Sequence, residues 1–253
     1  MSAVGREARL LARVVRVGLL AALVGQLAWS FRPGPSLAQT DEERLGRDLY
    51  ESACTTCHGI DGLGTANGPS LRAVGTASVH FNLSTGRMPL ANPADQPHRR
   101  PPVYTDEEIA AIVAYLEPIV GGGPEIPDVS IEGADLARGS QLFLDNCAAC
   151  HGAGATGDSI GGGRIAPTLM VPDPTQIVEA IRIGPGPMPA WTERSLEPAD
   201  AEAIAAYLVW LRDEGDDGGL QLGRVGAVAE GLVAIVVGLG LILLVIRLTG
   251  SKT

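Results

Sequence analysis

The chain of 253 residues holds four cysteines, and two pentapeptides use all of them: Cys54-Thr55-Thr56-Cys57-His58 and Cys147-Ala148-Ala149-Cys150-His151. In each, two thiols three positions apart share one helical turn and an imidazole follows at once. Thiols so spaced reach both vinyl groups of a haem and form thioethers, and the histidine then meets the iron from the same side. The chemistry is c-type haem attachment, repeated, and it implies two covalently bound haem c groups. A zinc site would need further Cys or His ligands nearby, and a thioredoxin-like Cys-x-x-Cys would follow a strand. No cysteine remains for a disulfide. Thioether attachment takes place outside the cytoplasm, so the motif itself implies export.

His58 and His151 are the first axial ligands under this reading, and each iron needs a sixth ligand or an open site. Beyond the initiator the methionines are Met88, Met170 and Met188. Met88 and Met188 stand 30 and 37 residues after their histidines, each followed by proline. Prolines hold the chain extended, so a thioether can be pinned against iron instead of filling a core. Met88 and Met188 are therefore the expected axial partners of His58 and His151, and such His/Met ligation favours electron transfer over catalysis at iron. No catalytic residue is expected. Met170 has no counterpart in the first half and reads as packing. His80 falls inside a helical stretch without a repeat partner, and His98 lies in an exposed loop. Pro69 and Pro167 are duplicated; their carbonyls are candidates to accept the Nδ1 proton of each histidine, the alternative being a plain turn. Trp191 either covers the edge of the second haem or belongs to a core.

Helices must carry these residues. Asp41–Tyr50 is the helix expected before the first motif, with Leu45 and Leu49 four apart. A loop runs to Asn67, and a short helix spans about Ala77–Ser84. Ala91–Pro102, with four prolines, is an exposed loop. Thr105-Asp106-Glu107-Glu108 is a capping box opening a helix expected to end before Pro118. After the linker Gly121–Ser130 the pattern restarts. Gly139, Leu142 and Cys147 answer Gly46, Leu49 and Cys54 at an offset of 93, and Ile204 and Tyr207 answer Ile112 and Tyr115 at 92. Ala166-Pro167-Thr168-Leu169 answers Gly68-Pro69-Ser70-Leu71, and Gly186-Pro187-Met188-Pro189 answers Gly86-Arg87-Met88-Pro89. Four landmarks in one order mean a tandem duplication. Tyr115 and Tyr207 are expected to pack on the first helix of each repeat.

Only 4% of residues are aromatic, too few for an ordinary core, and a porphyrin would supply the missing apolar surface. Residues 39–224 carry 27 acidic and 12 basic side chains, whereas the two flanks carry 2 and 7. Basic, apolar ends around an acidic middle fit termini at a membrane. The acidic middle excludes nucleic-acid binding. Residues 1–38 read as a signal peptide or an N-terminal anchor, with Arg6, Arg9, Arg13 and Arg16 before an apolar run and Ser36-Leu37-Ala38 as a cleavage site. Val225–Ile246 is long enough to span a bilayer and is apolar except for Glu230. Glu230 sits near the outer end, reaching either the interface or a neighbouring helix. Gly231, Ala234 and Gly238 would let another helix come close. Arg247 and Lys252 put the C-terminus in the cytoplasm.

The two motifs, the Ser84-Thr85-Gly86-Arg87-Met88-Pro89 stretch, the Gly121-Gly122-Gly123-Pro124 linker and the single C-terminal anchor together resemble the dihaem cytochrome c subunit of the actinobacterial cytochrome bcc complex, a quinol-cytochrome c reductase. The resemblance implies an all-α fold: a tandem pair of class I-type cytochrome c domains with a C-terminal transmembrane helix. The expected divisions are cytochrome c domains at 39–120 and 131–212, a linker at 121–130, an acidic tether at 213–224, a transmembrane helix at 225–248 and a tail at 249–253. It implies a respiratory subunit of the cell membrane, with its haem domains on the extracytoplasmic side. That subunit would take electrons from a Rieske iron-sulfur subunit, beside a cytochrome b subunit, and pass them through two haems to a cytochrome c oxidase in a supercomplex. Cys54, Cys57, His58 and Met88 would serve one haem, and Cys147, Cys150, His151 and Met188 the other. The alternatives are a dihaem subunit of another membrane oxidase or dehydrogenase, or a stand-alone anchored shuttle. A dihaem peroxidase would need an iron that opens to peroxide, which two matched Met-Pro sites disfavour.

Overall fold

The computed structural model describes residues 40–213 and 227–250, with side chains of the second stretch described from Gly231 onward. The leader at 1–38, the tether beyond Asp213, the Glu230 side chain and Lys252 lie outside the described residues.

Each half is built on a pair of helices that cross at a glycine. In the first half these are α1 (Asp41–Ala53) and α4 (Asp106–Val120); α2 (Thr55–His58) and α3 (Thr76–Ser84) lie between them in sequence. The second half repeats the order with α5 (Leu136–Asn146), α6 (Ala148–His151), α7 (Pro174–Ile183) and α8 (Pro198–Asp213). A Cβ on Gly46 of α1 would overlap the Ala111 carbonyl of α4, and one on Gly139 of α5 would overlap the Ala203 carbonyl of α8. Only glycine permits so close an approach. Beside each crossing an aromatic pair is repeated: Tyr50–Tyr115 and Phe143–Tyr207 both have centroids 5.7 Å apart at 47°. Separate apolar cores follow, around Tyr50, Ile109, Ile112 and Leu116 in one half and Phe143, Ile177, Ile204 and Leu208 in the other. Met170 packs against the second core.

Local signals account for the helix starts. Thr105 and Glu108 close the capping box, with Glu108 N donating to Thr105 Oγ1 and Thr105 N to Glu108 Oε2. Asp135 caps α5 and Asp173 caps α7, where Pro174 supplies the preset φ of the first turn.

Three expectations need correction. The helix expected to end before Pro118 runs through it to Val120. A proline in the last turn removes only its own N–H bond, and continuing the helix buries Val120 completely and lets its carbonyl accept Gly75 N at 2.9 Å. The fold is not wholly α-helical, because β1 (Asp158–Gly161) and β2 (Arg164–Ala166) form an antiparallel hairpin. His151 and Pro167 are 16 residues apart where His58 and Pro69 are 11 apart, and the extra length turns back through Gly161, Gly162 and Gly163, all at positive φ. The loop Ala91–Pro102 is exposed at first, but its end docks: Arg100 N donates to Thr85 O at 3.0 Å, and Arg99 and Arg100 are half-buried.

The halves meet where α3 faces α7. The linker is tied to the first half, since Pro124 O accepts Ala77 N at 3.1 Å. Among the described residues one helix, α9 (Ala227–Thr249), is long and apolar enough to cross a membrane; Gly231–Thr249 has a mean hydropathy of 2.7, with no buried residue. At 1.5 Å per residue it extends about 35 Å.

Candidate functional site: paired histidine motifs on one cavity

The backbone of the two motifs is nearly superimposable. His58 N donates to Cys54 O and His151 N to Cys147 O, both at 2.9 Å, and Cys57 N and Cys150 N return to the same carbonyls at 3.1 Å. Each turn ends on a left-handed glycine, Gly59 at φ 74° and Gly152 at φ 75°. Gly64 N then donates to His58 O, and Gly157 N to His151 O, so the loop folds back over its own histidine. In the first motif Tyr50 Oη also donates to Gly59 O at 2.6 Å. Burial pushes that phenol up to about 12, so it stays a donor. Phe143 replaces it in the second half.

His58 Nδ1 lies 2.8 Å from Pro69 O, and His151 Nδ1 lies 2.9 Å from Pro167 O. A carbonyl only accepts, so both Nδ1 atoms donate, and in the neutral imidazole that leaves the Nε2 lone pair for a metal. Burial is the main force pushing the Cys54 and Cys147 thiols up to about 11. Neither is a thiolate at neutral pH, which argues against a redox or nucleophilic cysteine pair.

One cavity of about 800 Å³ takes in both motifs. It is lined by His58, His151, Met88, Met188, Cys54, Cys147 and Cys150, with Val79, Leu83, Ile177, Ile181 and Leu208 as apolar walls. Trp191 lines it too and packs on the second core. The Met88–Pro89 bond is cis, and Met88 N donates to Asn82 O at 3.0 Å. The donor set suits haem c: thiols, imidazoles with free Nε2, thioethers and a largely apolar wall. A further sign of fit is the buried Nη1 of Arg87, which lines the cavity and has no hydrogen-bond partner in the protein. Burial, helped by the nearby charge of Arg99, pushes Arg87 down to about 10.

His98 lines the cavity as an exposed residue. His80 does not line it; its Nδ1 bonds Glu179 Oε1 at 2.7 Å, from α3 to α7. Glu179 has a fully buried side chain, and its Oε2 lacks a partner. The bond to Glu179 raises His80, while burial raises Glu179. Gln176 adds bonds from its Nε2 to Ser84 O and Oγ at 3.3 Å and accepts from Arg99. Sequence reasoning missed this polar seam. Its signal was Gln176 and Glu179, three apart within the apolar stripe of Ile177, Val178 and Ile181.

Comparison with known proteins agrees with the repeat. Residues 44–119 match the family model described as Cytochrome c, and residues 134–208 match Cytochrome C oxidase, cbb3-type, subunit III. A cytochrome bc1 complex cytochrome c subunit of Mycobacterium leprae (strain TN) is 37% identical over 87% of this chain and 82% of its own. Its namesake in Mycobacterium bovis (strain ATCC BAA-935 / AF2122/97) is 36% identical over 93% and 90%. A Cbb3-type cytochrome c oxidase subunit FixP of Bradyrhizobium diazoefficiens (strain JCM 10833 / BCRC 13528 / IAM 13628 / NBRC 14792 / USDA 110) is 28% identical over 64% and 59%. Each motif falls within one matched segment, and the stronger likeness covers most of the chain; the chain belongs to the family of cytochrome bc1 complex cytochrome c subunits.

Proposed function

We propose that this respiratory electron-transfer cytochrome is the membrane-anchored dihaem subunit of a quinol-cytochrome c reductase. It receives electrons from the Rieske subunit beside cytochrome b and delivers them toward a cytochrome c oxidase with which the complex assembles. The observation that carries this reading is the single cavity lined by Cys54, His58 and Met88 from one half and by Cys147, Cys150, His151 and Met188 from the other. When bound, each haem supplies a one-electron Fe(III)/Fe(II) couple, whose potential His/Met ligation raises. Cys54 and Cys57 would hold one group covalently and Cys147 and Cys150 the other. His58 and His151 would offer Nε2 to the irons while Pro69 and Pro167 hold their Nδ1 atoms, and Met88 and Met188 would complete the sets. This chain acts as an electron carrier, and quinol chemistry belongs to its partners. The haem domains are extracytoplasmic, α9 crosses the membrane, and the C-terminus is cytoplasmic.

The test is a reduced-minus-oxidised spectrum of protein gently extracted through a C-terminal tag. The expected result is b-type bands accompanying the c-type band in fixed ratio, with a-type bands if the oxidase travels with it. A c-type band alone would overturn the reductase reading in favour of an anchored shuttle.

A further inference from the structure

The two halves present matching iron ligands but unequal charge. Arg87 precedes Met88, whereas Pro187 precedes Met188, in otherwise matched stretches. The Arg87 guanidinium lies 4.5 Å over the Phe81 ring, which closes one face and holds it at the cavity wall. Its buried Nη1 has no partner in the protein. Arg99 lines the same cavity and donates to Gln176 of the other half. Arg100, next in the chain, buries Nε and Nη2 without partners. Among the described residues none of the three forms an ion pair. A guanidinium taken out of water is costly unless an anion meets it, and its fork matches a carboxylate. A haem brings its own anions: two propionates on the porphyrin edge opposite the vinyl groups that Cys54 and Cys57 hold.

We propose that Arg87 and Arg99, with the half-buried Arg100 next in the chain, form a carboxylate-binding site for the propionates of the haem in the first half, and that the second half has no equivalent. There the cavity-lining arginine is Arg164, exposed on β2. Arg182 is occupied by the carbonyls of Trp191 and Leu196 at 3.1 and 2.7 Å. Two irons with the same ligand types are thereby made unequal. Cations that offset the propionate charge favour the ferrous state, so the site raises the potential of the first haem. The inference rests on the proposed haem ligation at both motifs.

The experiment uses the full-length protein in its gently extracted form. Covalent haem is counted as the pyridine haemochrome, and the c-type band is titrated spectroelectrochemically in wild type, Arg87→Gln, Arg99→Gln and Arg87→Lys. Met88→His marks which transition belongs to the first haem. In Arg87→Gln the ferrous-to-ferric ratio of that haem at fixed ambient potential should fall about tenfold, equivalent to 59 mV for a one-electron couple. Arg99→Gln should move the same haem less, Arg87→Lys should recover part of the loss, and the second haem should hardly shift. An unmoved first haem in both Gln variants, or equal shifts in both haems, overturns the proposal. A wild type with fewer than two haems overturns the ligand assignment instead. If Arg87→Gln does not accumulate, Arg99→Gln, away from the iron ligand, decides the question alone.

Discussion

Laid over one another, the two cytochrome c domains agree where the backbone holds the motif and differ where side chains face the shared cavity. The turn, the left-handed glycine after the histidine and the Nδ1 bond to a proline carbonyl recur to within 0.1 Å. The helix crossing at glycine recurs with the same aromatic geometry. Around that constant frame Tyr50 becomes Phe143, Arg87 becomes Pro187, and a short loop becomes a hairpin. Binding the group tolerates little variation, because thioethers, imidazole and glycine turn fix one another. The surroundings are free to diverge, and divergence there is what gives two similar domains different electrical environments.

The strongest challenge to this pairing is to remove one attachment site. Cys54→Ala with Cys57→Ala should reduce the haemochrome count from two to one, and Cys147→Ala with Cys150→Ala should do the same. Loss of both haems from either double variant would mean the domains do not mature independently. Next in size, Met88→Ala and Met188→Ala should each leave haem attached but lower one potential, by a sizeable fraction of the roughly 0.8 V over which axial ligation tunes haem. Redox titration checks this, and unchanged curves would refute the ligand assignment.

The glycine crossings sharpen the comparison through stability. Gly46→Ala and Gly139→Ala should each destabilise the domain that carries it by about 3 kcal/mol or more, because the new Cβ meets backbone, which cannot rotate away. Denaturant unfolding followed by haem absorbance should show similar losses, and a clear inequality would break the symmetry.

The smallest expected effect concerns the seam between the domains. His80→Ala leaves Glu179 buried without its partner and should cost on the order of 2 kcal/mol. The bond to Glu179 holds His80 above its usual value, so that contribution is full below pH about 6.5 and fades as pH rises through the raised folded value. Glu179, raised chiefly by burial, binds its proton more tightly folded than unfolded and loses stability in the same direction. Asp106 and Asp173 act on His80, and Asp173 on Glu179, with the same sign. Removing His80 alone lets burial raise Glu179 further, so the pH dependence is tested with Glu179→Gln: wild-type stability should decline from mildly acidic to alkaline pH more steeply than that of Glu179→Gln. Parallel pH profiles would refute the role of the pair.

The sequence alone determined the motifs, the order of the landmarks, the capped helix at Thr105 and the apolar C-terminal segment, because each rests on contacts within a few residues or on composition. It left α7 unread, although Asp173 and Pro174 stand at its start and Gly184 at its end. Pro118 shows where local rules yield: the gain from burying Val120 outweighs one lost backbone bond. Only the tertiary structure decided that the two motifs open on one cavity, that His80 belongs to a bond with Glu179 99 residues away, and that Arg87 and Arg99 turn inward. Those are encounters between segments distant in sequence. Their energies depend on burial, which no spacing of residue types records.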